Sequence, residues 1–117
     1  MPSTIFDYYL RASRRQVVPE SERGIAGDVI EGEDGNRARF WIEPGTNRIH
    51  YSATSCATLL AICEHIAGKA GGVTEEELLA RHPEIAPSKR SSVTLAVQAF
   101  QSALIRVHAR PFAAKQG

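Results

Sequence analysis

The order of periodicities and turn signals predicts an α+β fold: a three-stranded antiparallel sheet with helices packed on one of its faces. Three observations carry this expectation. Between Gly24 and Thr54, apolar residues recur at every second position, and glycine-bearing turns interrupt the pattern. From Cys56 onward the period becomes helical, with glycines and prolines marking the breaks. The links between strands are too short for a crossover, so consecutive strands must run antiparallel. A length of 117 residues with 43% hydrophobic content suits one domain spanning residues 1–117.

Each element has its own reason. Residues 4–15 form a short amphipathic helix, with Ile5, Tyr8, Tyr9 and Ala12 on one side, Ser3 or Thr4 as cap and Asp7 in the first turn. Residues 17–22 connect it to a weak first strand over 24–32, which carries glycines at both ends. Asp34-Gly35 marks a tight turn. The second strand spans 37–43 with Ala38, Phe40 and Ile42 inward, and Pro44-Gly45 turns the chain into a third strand over 48–54 with Ile49, Tyr51 and Ala53 on one face. A helix then runs from Ser55-Cys56 to Ala67 and closes at Gly68-Lys69. After the break at Gly71-Gly72, Thr74 and Glu77 make a capping box for a short helix through Arg81. Pro83 and Pro87 delimit a loop. Ser88 or Ser91 caps a last helix to about His108, with Val93, Val97, Phe100, Leu104 and Val107 as its stripe, and the tail after Arg110-Pro111 is expected to be loose.

Charge and cysteine usage narrow the function classes. A net charge of +1 argues against general attraction to nucleic acid or to an anionic membrane. No apolar run is long enough to span a bilayer, and the first residues lack the pattern of a secretory signal. Cys56 and Cys63 fall in one helix about 10 Å apart, too far for a disulfide. Reduced thiols and a cytoplasmic location follow as expectations. There is no hydrolase triad, no phosphate-cradling glycine loop and no carboxylate pair suited to acid–base work, so no enzymatic activity is expected.

Cys56 is the principal candidate, because it sits where a strand ends and a helix begins. A thiol in the first turn of a helix feels the positive end of the helix dipole, which favours the thiolate that binds metal or accepts sulfur. The alternative is a small apolar residue filling a joint. Cys63 shares a stripe with Leu59, Leu60 and Ile66 and reads as core. Asp34 has an ordinary role as the Asp of an Asp-Gly turn, and Ser91 and Ser92 as helix caps. His50 and His65 are expected to face solvent, and His82 and His108 to lie near helix C-termini. Arg37, Arg39, Trp41 and Arg48 form a stripe on the outer sheet face that suits a protein contact; the alternatives are an RNA-binding sheet, for which a single aromatic is thin, and a partly covered Trp with arginine stems packed over it.

The ordered set resembles the IscU/NifU N-terminal family of iron–sulfur cluster assembly scaffolds. The resemblance rests on the strand ending in Ser55-Cys56, the small-residue helix after it closed by Gly68-Lys69, the Leu95–Leu104 stretch of the last helix and the Asp7-Tyr8-Tyr9 segment; it covers roughly Asp7 to Leu104. It implies the family's fold and a site of three cysteines with an auxiliary aspartate or histidine. Cys56 matches the middle cysteine. Ser92 stands at the position of the cysteine that opens the last helix, and Ser91 at the histidine before it. Asp34-Gly35-Asn36 matches the first ligand loop, with Ala26-Gly27-Asp28 as a competing register. The implied ligands of an iron–sulfur cluster or a zinc ion are therefore Cys56, Asp34 and Ser92. Neutral serine is a poor ligand, and cluster ligation normally needs four thiolates or close substitutes. The resemblance thus implies a divergent, scaffold-like protein with a degenerate site that handles iron or sulfur through Cys56 and holds no stable cluster as a monomer. A homodimer would combine two Cys56 thiolates with two Asp34 carboxylates. The implied partners are a cysteine desulfurase or other iron–sulfur assembly proteins, with no nucleic acid and no membrane. Two other readings stand beside it: a non-enzymatic protein-interaction module with a vestigial metal site, binding through the Trp41 face, and a persulfide relay through an exposed thiol.

Overall fold

The computed structural model describes residues 24–32, 34–46, 48–54, 56–69 and 74–116, with side chains as far as His108. The expected helix over 4–15, the connector over 17–22, Ser55 and Gly71-Gly72 lie outside the described residues. The elements follow in the order β1 (Ile25–Ala26), β2 (Ile30–Glu31), β3 (Arg37–Ile42), β4 (Ile49–Ala53), α1 (Ala57–Lys69), α2 (Glu75–Arg81), a 3-10 turn (Pro87–Lys89) and α3 (Arg90–Gln116). The fold is α+β with an antiparallel sheet. No helix among the described residues is long and apolar enough to cross a membrane.

Among the described residues the sheet has four strands rather than three, because the expected first strand is broken in two. β4 pairs with one edge of β3, placing Tyr51 opposite Phe40 and His50 opposite Trp41. β1 and β2 share the other edge, with Ala26 opposite Trp41 and Ile30 opposite Ala38. Three residues (27–29) separate Ala26 from Ile30, whereas two (39 and 40) separate their partners. The extra residue is a bulge. Its cause lies in α3. A Cβ on Gly27 would sit 2.5 Å from the backbone nitrogen of Ala103, so only glycine admits the helix this close. The Asp28 N–H leaves the ladder and donates to Ser102 Oγ at 2.8 Å, while the Gly27 carbonyl accepts from Arg39 Nε at 2.8 Å.

α1 and α3 pack on the sheet face that carries Ala38, Phe40, Ile42 and Tyr51. Phe40 is fully buried at the centre, edge-on to Phe100 at 5.4 Å and tilted against Tyr51 at 5.9 Å. Burial of this cluster, at about 25 cal/mol per Å² of apolar surface, supplies the main folding force. The opposite sheet face departs from expectation. Trp41 is 3% exposed and His50 6%, so neither presents an open surface. The Arg39 guanidinium lies 5.1 Å from the Trp41 ring centroid, which matches the reading of a Trp covered by an arginine stem.

The helix boundaries follow the sequence at α2 and depart from it at α3. Thr74 Oγ1 accepts from Glu77 N at 3.1 Å, which is the expected cap. α3 is entered through the 3-10 turn, whose Lys89 N–H donates to the Ala86 carbonyl at 2.8 Å. Neither Ser88 nor Ser91 therefore stands at the cap, and Ser92 is already the third helical residue. The helix also continues past His108 and through Pro111 to Gln116, where a loose tail was expected.

Candidate functional site

Antiparallel pairing brings the end of β4 beside the start of β3, and so sets Cys56 at the same end of the sheet as the turn that holds Asp34. The Cys56 N–H donates to the Thr54 carbonyl at 2.7 Å, and the Cys56 carbonyl accepts from Leu60 N at 2.9 Å. Cys56 is thus the residue on which the strand ends and α1 begins. Its side chain is partly buried and packs against the edge of the core. Its sulfur lies 3.8 Å from Ser92 Oγ, within hydrogen-bond reach for sulfur, and Ser92 is itself 2% exposed.

Asp34 is held by its own turn. Its carboxylate accepts from Asn36 N at 3.1 Å and from Asn36 Nδ2 at 2.8 Å. These hydrogen bonds keep the exposed carboxyl below its usual range, with a smaller contribution from the positive charge of Lys89. Asn36 Oδ1 in turn accepts from Thr54 Oγ1 at 2.8 Å. A continuous chain of hydrogen bonds therefore runs from Asp34 through Asn36 and Thr54 to the backbone of Cys56. The competing first-loop position, Ala26-Gly27-Asp28, is occupied by the bulge, and Asp28 pairs with Arg106 of α3.

The structure brings Cys56 and Ser92 into contact and ties Asp34 to them through backbone and amide groups. Among the described residues it does not assemble a full ligand set. Among the described residues, no group of three or more His, Cys, Asp and Glu is placed to hold a metal ion. One thiol, one hydroxyl and one carboxylate fall short of the donors a closed zinc site or an iron–sulfur cluster needs.

Other polar residues were misread from the sequence. His50 was expected in solvent, yet it is buried with Nε2 2.5 Å from the Glu43 carboxylate, which keeps the Glu43 carboxyl low. His65 was also expected in solvent, beside Glu64. Both are buried in α1, whose residues from Leu59 to Ala67 are all buried. Tyr51 Oη donates to Glu64 Oε1 at 3.0 Å. His65 Nδ1 lies 2.7 Å from Nε2 of His82, which is 1% exposed. A sequence signal existed: a helix apolar on every side is a buried helix, and ionisable groups inside it must find partners. Cys63, the expected core thiol, is fully buried, and burial pushes its thiol well above the usual range, reinforced by the charges of Glu64 and Cys56. No protein-family model matches the chain, and a search of curated proteins likewise found no match.

Proposed function

We propose that the chain is a divergent iron–sulfur scaffold-like protein that handles iron or sulfur through Cys56. The observation that supports this reading is the contact of the partly exposed Cys56 sulfur with the buried Ser92 hydroxyl, at the sheet end where the Asp34 turn is also tied. A serine hydroxyl there is better suited to donating a hydrogen bond to a thiolate than to binding metal. The single thiol is equally suited to accepting sulfur from a persulfide donor such as a cysteine desulfurase. The Cys56 thiolate would attack the donor's terminal sulfur, a new S–S bond would form on Cys56, and the donor's cysteine would leave as thiolate. With one thiolate per chain, stable cluster binding requires a second copy or a partner that supplies ligands. An interaction module would need a surface other than Trp41, which is buried.

The test is anaerobic reconstitution with iron and sulfide, with iron content and visible absorbance measured on separated monomer and dimer. Iron retained by the protein and lost in Cys56→Ala is the expected result. No iron in either species, together with no persulfide on Cys56 after incubation with a cysteine desulfurase and cysteine, would remove the proposal.

A further inference from the structure

The interior holds a polar device that lies apart from the Cys56 end. Among the described residues, α2 makes few tight contacts, and Leu79 packs partly buried against the core. Leu78 is its one buried residue, and the Lys69–Glu77 pair that joins it to α1 is 3.6 Å long and half exposed. Glu75 adds a hydrogen bond from Thr94 of α3. Such an element belongs to the low-stability end of a fold. The residue that ends it, His82, is nevertheless buried, and its backbone holds both sides of the connector: its N–H donates to the Leu78 carbonyl at 3.0 Å and its carbonyl accepts from Ile85 N at 3.1 Å. Its imidazole meets that of His65 on α1 edge to face, with ring centroids 4.9 Å apart and planes at 90°.

We infer that the His65–His82 contact is an acid-released latch that closes α2 and the α2–α3 connector onto α1. A hydrogen bond between two imidazoles needs one nitrogen with a hydrogen and one with a free lone pair. The Glu84 carboxylate, 3.4 Å from His82 Nδ1, favours the tautomer with the hydrogen on that nitrogen. His82 Nε2 is then left to accept from Nδ1–H of His65, at the observed 2.7 Å. One added proton leaves the contact possible, because an imidazolium still donates to a neutral ring. A second proton turns both facing nitrogens into donors and sets two cations against each other in a buried site, so the contact must open.

The charged and titratable groups on the surrounding elements set the direction. Among the described residues, Cys63, Glu64 and Lys69 lie on α1 with His65, Glu75, Glu76, Glu77 and Arg81 on α2, and Glu84 on the connector; of these, Glu84 and Arg81 act on His82. Glu64 is engaged by Tyr51. Burial holds the His82 imidazole below its ordinary value of 6.5; Glu84 works against this and Arg81 with it. A histidine kept neutral in the fold takes up its proton more readily when the chain is open. The latch therefore contributes fully above about pH 6.5 and weakens as pH falls below it, opening when the second proton binds.

Amide hydrogen exchange of the full chain at pH 7.5 and 5.5, corrected for intrinsic rates, tests this. Acid is expected to lower protection in residues 75–86 at least about tenfold more than in β3 and β4. The drop should shrink in His82→Gln and His65→Asn, which keep a hydrogen-bonding group at the contact but cannot be protonated. An equal acid drop in both variants, or none in the native chain, overturns the latch. Should the variants fail to fold, histidine NMR titration of the native chain decides: linked titrations below 6.5 support it, and two independent ordinary titrations overturn it.

Discussion

Cys56, at the entrance to α1, and Cys63, inside it, are seven positions apart and share almost nothing else. Cys56 stands on the joint between β4 and α1, partly exposed, with a hydroxyl beside its sulfur. Cys63 is sealed among core side chains beside the buried Glu64, and its thiol is held protonated by that burial. One residue type serves as a candidate reagent at one end of a helix and as an inert filler two turns later. Surroundings, not identity, decide what a thiol can do. The same contrast runs through the acids: Asp34 is exposed and kept ionised by its turn, while Glu64 is enclosed and bound by Tyr51.

The largest expected difference is in reactivity. In the folded protein, iodoacetamide should label Cys56 on the order of 100-fold faster than Cys63, which becomes reactive only when the core opens; peptide mass spectrometry reads the ratio, and comparable rates would abolish the distinction. Stability should divide the same way. Cys63→Ser places a hydroxyl in apolar surroundings and is expected to cost about 1–3 kcal/mol, whereas Cys56→Ser should stay within about 0.5 kcal/mol. Urea unfolding of both variants checks this. The smaller refinement is Tyr51→Phe. Removing the phenol leaves Glu64 short of one partner, for a loss of about 1–3 kcal/mol at neutral pH.

The central hairpin was plain in the sequence. Alternation marks β3 and β4, and Pro44-Gly45 turns between them; Gly45 adopts φ 93°, which few other residues would accept. The Thr74–Glu77 spacing gave the start of α2 for the same reason: the signal is local. What the sequence hid depends on distant partners. The bulge at Gly27 exists because the backbone at Ala103 comes within reach of it, 76 positions away. His65 and His82 read as surface residues until the fold sets their rings together. At the candidate site, Cys56 was legible from the change of period on either side of it. Cys56 and Ser92 were joined only as ligands that the resemblance implies, whereas their contact and the link from Asp34 through Asn36 and Thr54 required the folded chain.

The interrupted edge has a consequence for assembly. An even, exposed strand edge invites another chain to add to the sheet and begins uncontrolled aggregation. Here β1 and β2 offer two ladder residues each, out of step by one, with a backbone N–H between them already engaged by Ser102. An incoming strand that matches one half is misaligned with the other. The glycine that lets α3 approach the sheet therefore also makes this border a poor template for fibre growth.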